Sequence, residues 1–308
     1  MSSLEELGSA IAAVAERVGP SIVSVGRDGR GSGVVVADGQ VLTNAHNLRG
    51  REVTVTFADG RSTRGEVRGV DGDGDLAVIA VDTTGATAVE WGSGDAAVGD
   101  AVFGAAATYG GGARVTVGFV SSVARSFRGP GGRRISGSIE HTAPLAPGSS
   151  GGALLDSEGR IIGLNTNRIG EGFYLALPAD AALRGRLDSL GKGESVERPR
   201  LGVAIAPNHV ARRLRRSVGL PERDGILVRG VEDGSAAAAA GVEVGDLIVS
   251  AGGKAIVDAD DLQDALGTLK PPFDVVIVRG ADEKTLSRKY LTAASCAFAP
   301  SLGRYRAM

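Results

Sequence analysis

Cysteine is almost missing from these 308 residues, with Cys296 the only one. That excludes an internal disulfide and any metal cage built from several thiolates. No oxidising compartment is required, though none is ruled out. Cys296 stands among Ala and Phe near the chain end and reads as inert. Long apolar runs are also missing: none approaches the roughly 20 residues needed to cross a bilayer. The start, MSSLEELGSAIAAVAERVGP, has Glu5 and Glu6 where a secretory signal would have basic residues before an apolar core. As written, the chain reads as cytoplasmic, and as periplasmic or extracellular if its start is truncated. An excess of charge is lacking too. With 34 basic and 36 acidic residues, net −2, neither a nucleic-acid partner nor an anionic membrane is expected. The short clusters Arg133-Arg134, Arg212-Arg213 and Arg215-Arg216 read as solvated faces.

Glycine, in contrast, is plentiful. The 48 glycines are about twice the usual share of roughly 7% and are scattered between short apolar runs. Length alone argues for two domains. Residues 4–18 read as a helix with Leu4, Leu7, Ile11, Val14 and Val18 on one side. Ser3 is its expected N-cap, with Glu6 completing a capping box. From 21 to about 180 the runs SIVSVG, GVVVADGQVLT, EVTVTFADG, LAVIAV, RVTVGFVSSV, GGALL, GRIIGL and GFYLAL predict short strands, separated by turn dipeptides such as Asp38-Gly39. An all-β barrel or sandwich follows, with one sheet unit over roughly 21–90 and another over roughly 95–180. Polar GKGESVERP, 191–199, reads as the domain boundary. A small mixed domain of alternating strands and helices follows, including the capped helix DADDLQDALGTL.

The stretch PGSSGGALL, 147–155, contains Gly-x-Ser-x-Gly with Ser150 at its centre. In α/β-hydrolases that pattern sits between a strand and a helix. Here ALLDSEGRIIGLNT follows, which reads as a hairpin, and the one histidine after the serine is His209 in the second domain. The hydrolase reading is therefore set aside. A serine nucleophile needs a base within hydrogen-bond reach, and only three histidines exist. His46 lies where a strand gives way to a loop in VLTNAHNLRG, and Asp75 is the last acid before the strand in GDGDLAVIAV. A carboxylate there could hold the imidazole tautomer. His141 reads as structural, in a strand, and His209 as a surface residue.

TNAH at 43–46, DLAVIAV at 75–81 and PGSSGGALLDSEGRIIGLNT at 147–166 together resemble the HtrA/Deg family of serine proteases. RPRLGVAI and DGSAAAAAGVEVGDLIVSAGGKAI resemble the PDZ domain that follows in that family. The resemblance covers about 290 residues. It implies a mainly β protein, a chymotrypsin-like double β-barrel with a small α+β PDZ domain. The expected divisions are 1–19 helix, 20–190 protease, 191–199 linker, 200–292 PDZ and 293–308 tail. It further implies that Ser150 is the nucleophile, His46 the general base and acid, and Asp75 the orienting carboxylate. The oxyanion hole would use the N–H groups of Gly148 and Ser150. No metal or cofactor is called for.

Several positions depart from the family's pattern. Ser149 stands where asparagine is usual, Thr142 where aspartate is frequent, and Asn47-Leu48 where two valines follow the histidine. Leu145 resembles a residue lining the primary specificity pocket, and Pro144 falls where an acid would select Arg or Lys. Cleavage after small or medium aliphatic residues is thus expected. AATYGGGARVTVG resembles a regulatory loop region but lacks the usual Asn-Pro. In the PDZ domain, Leu201, Gly202 and Val203 match the loop that holds a peptide C-terminus, with Leu262, Ala265, Leu266 and Leu269 across the groove. The implied partners are unfolded or misfolded polypeptides and peptide C-termini. A homotrimer is implied by resemblance alone, since helix 4–18 has no aromatic residue. The competing expectation is a peptide-binding, chaperone-like protein whose protease site is rarely competent.

Overall fold

The computed structural model describes residues 2–129, 134–195, 201–269 and 273–287. Arg133, residues 196–200 of the boundary and start of the second domain, and the tail 293–308 with Cys296 lie outside them. The chain divides into two compact units, Met1–Val196 and Glu197–Met308.

The first unit opens with helix α1 (Ser3–Val18). Its cap is Ser2, one residue earlier than expected, with Glu5 answering from N3. The doubled Ser-Ser and Glu-Glu let the same pattern fit two registers, and the hydrogen bonds chose the first. Only the C-terminal half of the helix packs: Val14 and Val18 are buried while Leu4 is 80% exposed.

Six strands then close a barrel: β1 (Ile22–Val25), β2 (Gly31–Ala37), β3 (Gln40–Thr43), β4 (Glu52–Thr56), β5 (Ser62–Asp71) and β6 (Leu76–Ala80), in the order β1-β2-β3-β6-β5-β4. A second barrel follows from β7 (Ala101–Ala107), β8 (Ala113–Arg128), β9 (Arg134–His141), β10 (Ala153–Leu155), β11 (Ile161–Ile169) and β12 (Phe173–Pro178), in the order β10-β11-β12-β9-β8-β7. Closure removes the unpaired edges an open sheet would expose. The segment AATYGGGARVTVG forms the turn of the β7–β8 hairpin, where Ala107 pairs with Ala113. Helix α2 (Ala181–Gly191) caps the unit, with Asp180 accepting from the Leu183 N–H.

Successive residues of a strand face opposite sides, and here both sides are covered. Val23, Val25, Val35, Val41, Val55 and Ile79 form one cluster within the first barrel. Ile22, Val34, Leu42 and Leu76, from alternate positions of the same strands, join Phe103, Leu155, Ile161 and Leu164 of the second barrel and Leu183 of α2 in another. The two barrels thus share one continuous core, and the loops between them are held at fixed distance.

The second unit is a sheet of β13 (Val203–Ala206), β14 (Ile226–Val231), β15 (Leu247–Ala251), β17 (Asp274–Arg279) and β18 (Asp282–Ser287) in that spatial order, with β16 (Lys254–Ala255) paired to β15. Helices α3 (Asn208–Ser217), α4 (Ala236–Ala240) and α5 (Ala259–Thr268) complete it. Ser235 caps α4, and Gly241 ends it in the left-handed conformation that glycine adopts without strain. Asp258 and Asp261 form a capping box on α5. On α3 the arginine cluster is mostly spent internally. Arg215 is buried and donates to the Pro221 and Gly280 carbonyls, Arg212 pairs with Asp224, and Arg216 pairs with Glu222.

Leu155 has no exposure and sits in the core shared by both barrels. Leu155→Ala is expected to cost about 2–5 kcal/mol through lost burial and a residual cavity. Val98→Ala, at a side chain 65% exposed, is expected to stay within about 0.5 kcal/mol. Urea midpoints of the two variants, measured side by side, check the contrast.

Candidate active site

The site forms where loops of both barrels meet. β3 ends at Thr43, and a single 3-10 turn, Ala45–Asn47, carries His46. Asp75 immediately precedes β6 and has φ +54°, a left-handed conformation unusual for a residue other than glycine. The Asn44 amide donates to the Asp75 carbonyl at 2.9 Å and secures that turn. Of the three acids in DGDGD, 71–75, Asp75 is the one that meets the histidine. Asp71 instead accepts from the Gly74 N–H at 2.8 Å.

His46 Nδ1 lies 2.8 Å from Asp75 Oδ2 and 3.0 Å from Oδ1. The Asp75 side chain is 1% exposed, so an unpartnered carboxylate here would be costly. It is well supplied. The His46 backbone N–H donates to Oδ1 at 3.1 Å, and the Thr166 hydroxyl donates to Oδ2 at 2.8 Å. With Nδ1–H turned to the carboxylate, Nε2 is left to accept a proton on the cleft side.

Ser150 sits in the loop before β10. Ala146 accepts from the Ser149 N–H at 3.1 Å, closing a turn with Pro147 and Gly148 at its centre. Gly148 has φ +87°, and Pro-Gly at these positions is the signature of a type II turn. A Cβ on Gly148 would also lie 2.3 Å from the Gly29 carbonyl oxygen. Both the turn and the close approach therefore demand glycine. Among the described residues, neither the Gly148 nor the Ser150 N–H donates to a protein acceptor. Two adjacent free donors beside a hydroxyl are the chemistry an oxyanion needs.

The carbonyls of Gly148 and Ser150 are engaged in turn. Ser150 O accepts from the Ser32 N–H at 2.8 Å and the Asn47 amide at 2.9 Å. Gly148 O accepts from the Ser32 hydroxyl at 2.8 Å. Thr43 donates to Ser32 O at 2.7 Å, and Asn47 donates to Thr43 Oγ1 at 3.0 Å. Ser149, the spacer between the two donors, is buried.

In this structure the Ser150 hydroxyl donates to the Thr166 carbonyl oxygen at 2.8 Å, and no hydrogen bond joins it to His46. The three residues therefore lie at one site with the Ser150 hydroxyl turned away from His46. They line a cleft of about 440 Å³, together with Leu145, Thr166, Arg168 and Tyr174. Pro144 does not line it, and Asp75 is the only carboxylate among the lining residues.

Sequence reasoning assigned no role to Thr166, Asn47 or Ser32. Thr166 lay inside the quoted run GLNT, and Asn47 was noted only as a departure. The signal available was chemical: small polar side chains beside a catalytic-type motif within buried apolar runs need partners. His141 is fully buried in β9, with Nε2 3.0 Å from Asn165 Oδ1 and its ring stacked on Tyr174. His209 is exposed on α3.

In the second unit, Leu201 is buried in the core and its carbonyl accepts from the Ala237 N–H at 2.8 Å. Gly202 has φ +74° and Val203 pairs with Val231. β13 is an edge strand, leaving one side without a partner strand among the described residues. Leu262, Ala265 and Leu266 of α5 are buried, and Leu269 is half-buried.

Two closed six-stranded barrels with a Ser, His, Asp cluster between them define a trypsin-like serine peptidase. The trypsin-like peptidase domain model matches residues 31–164, and the PDZ domain model matches 227–279. The solved structure of the HtrA-type protease AlgW with tripeptide is 30% identical, with a TM-score of 0.60, 91% of this chain covered and 96% of that one. AlgW with decapeptide gives a TM-score of 0.66 at 26% identity, covering 90% and 97%. The chain belongs to the HtrA-type serine proteases. The serine protease HhoB of Synechocystis sp. is 34% identical over 82% of this chain and 64% of its own length. A periplasmic DegP-like serine endoprotease of Halomonas elongata is 32% identical over 80% and 52%. The chain thus spans about half to two thirds of those relatives.

Two expectations follow. Asn47→Ala removes a donor to the Ser150 carbonyl and should cost about 1–3 kcal/mol. It should also slow labelling of Ser150 by a fluorophosphonate, and an unchanged labelling rate would remove Asn47 from the loop's support. Separately, burial lowers the His141 pKa to about 4, below the ordinary value of about 6.5. Between those values the unfolded chain binds the proton and the folded chain does not. Stability is therefore full above about pH 6.5 and declines as pH falls towards about 4. Urea titrations at several pH values should show this decline in the wild type and lose that component in His141→Gln.

Proposed function

We propose that this chain is an active serine endopeptidase that cleaves unfolded or exposed polypeptide through an acyl-enzyme. The observation that carries the reading is the buried Asp75–His46 pair beside Ser150, with the Gly148 and Ser150 N–H groups unspent. Ser150 Oγ first turns from the Thr166 carbonyl to His46 Nε2. His46 takes the hydroxyl proton as Oγ bonds to the scissile carbonyl carbon. The two N–H groups hold the resulting oxyanion, each contributing about 3 kcal/mol. Asp75, fixed by Thr166, faces the imidazolium and stabilises it. His46 then gives the proton to the leaving amine, and a water repeats the sequence on the acyl-enzyme.

Leu145 and Tyr174 in the cleft support cleavage after small or medium aliphatic residues. The only lining carboxylate, Asp75, is committed to His46 and Thr166 and is not offered to a substrate cation. The unpaired side of β13 supports capture of peptide C-termini beside Leu201, Gly202 and Val203 by strand addition. The homotrimer rests on family membership, with exposed Leu4 and Leu7 on α1 as candidate contacts. No helix among the described residues is long and apolar enough to cross a membrane. The name of the Halomonas relative supports the periplasmic compartment over a cytoplasmic one.

One observation favours the second reading, a peptide-binding protein whose protease site is rarely competent: the Ser150 hydroxyl is bonded to Thr166 and not to His46. Fluorophosphonate labelling with and without C-terminal peptides separates the two. Labelling and casein cleavage that both disappear in Ser150→Ala are the expected result. Absence of labelling under every condition sinks the protease reading. Product mapping dominated by cuts after Arg or Lys would overturn the aliphatic pocket.

A further inference from the structure

The cleft that holds Ser150 is lined by two arginines, Arg128 and Arg168, and its one carboxylate is the buried Asp75. Both arginines are exposed. Arg168 lies on β11, two residues beyond Thr166, whose carbonyl is 2.8 Å from the Ser150 hydroxyl. Two residues along a strand span about 7 Å, the distance between the scissile residue and the residue two away on an extended substrate. On one side of β11, Arg168 pairs with Tyr174 of β12; on the other, β10 reaches only to Leu164. The edge beside Thr166–Arg168 is thus open next to the nucleophile.

The guanidinium is already positioned. Arg168 Nε donates to the Gly170 carbonyl at 2.8 Å, and no carboxylate among the described residues pairs with it, Glu171 in the same turn included. Nε is spent on the backbone, so the two terminal nitrogens are left as a planar fork. Such a fork matches a carboxylate with two parallel hydrogen bonds.

We propose that Arg168 is a specificity-determining residue that selects substrates with an Asp or Glu side chain within three residues of the scissile bond. Arg128 adds positive charge to the same cleft. The assignment rests on the protease reading for its effect on turnover, but it also concerns binding, which needs no turnover.

The test uses the full chain and a pair of quenched fluorogenic peptides that differ only in Glu or Gln two residues before an aliphatic cleavage site. Both are amidated at the C-terminus, so that the PDZ domain has no carboxylate to hold. Wild type should favour the Glu peptide by about 5- to 10-fold in kcat/KM. The ratio should shrink at roughly 0.5 M salt, fall to about 1 in Arg168→Gln and stay in part in Arg168→Lys. A ratio is taken on one enzyme preparation, so a general loss of folded protein cancels. Equal turnover of the two peptides by wild type, or an unchanged ratio in Arg168→Gln, overturns the proposal. Fluorescence anisotropy on Ser150→Ala reads the same preference without catalysis. If wild type neither labels nor cleaves while Ser150→Ala still prefers the Glu peptide, the protease reading fails and Arg168 stands as a binding determinant. No preference in that binding measurement overturns Arg168 whatever the activity.

Discussion

The grip of the first barrel on the Ser150 carbonyl is the constraint on which the site depends. Ser32 N–H and the Asn47 amide both donate to it, while the Ser32 hydroxyl takes the Gly148 carbonyl. A glycine-rich loop has the largest conformational entropy to lose, so its order must be imposed from outside. Here the imposition crosses between barrels. β2 contributes Ser32, the turn after β3 contributes Asn47, and the loop they hold belongs to the second barrel. Gly151 fits the same logic: a Cβ there would stand 2.1 Å from the Ser32 carbonyl, so the backbone approaches as closely as it does only because the residue is glycine.

That grip is useful only because the barrels cannot drift. Ile22, Val34 and Leu42 share a core with Leu155, Ile161 and Leu164, and close-packed interiors transmit small displacements. His46 and Asp75 come from the first barrel and Ser150 from the second. Thr166 bridges them, since its hydroxyl donates to Asp75 while its carbonyl accepts the hydrogen bond of the Ser150 hydroxyl. One residue of β11 therefore touches groups from both barrels.

Much of this was legible in the sequence, and what was not had a physical reason. The short Val-rich runs predicted a barrel or sandwich because apolar strands buried on both faces read as continuous runs. β5, β7 and β18 were not anticipated, and of β9 only a strand at His141 was. STRGEVRGVD, RISGSIEH and DEKTLS carry charges and hydroxyls on their exposed sides, and AVFGAAA is mostly small residues. Pairing with a neighbour, not hydrophobicity, makes them strands, and a single sequence does not display its neighbours. His46, Asp75 and Ser150 drew attention through the chemistry each residue type can perform, and the family resemblance implied their roles. Ser32, Thr43 and Asn47 were not, because a supporting side chain has no chemistry of its own to announce. Leu201 had a place in the peptide loop by resemblance, yet its side chain lies in the core and only its backbone faces the question of ligand.

The same division of labour explains why the loop can be rigid and still reactive. The Gly148, Ser149 and Ser150 carbonyls are satisfied, by Ser32, the Gly152 N–H and Asn47, whereas the Gly148 and Ser150 N–H donors are not. Buried polar groups without partners are normally selected against, so an asymmetry confined to donors has to be held in place by everything around it. It leaves a site electrically deficient on one side, with Arg168 extending that deficiency along the open edge of β11. Negative charge, whether it develops on a scissile oxygen or arrives on a substrate side chain, is what this half of the cleft is arranged to receive.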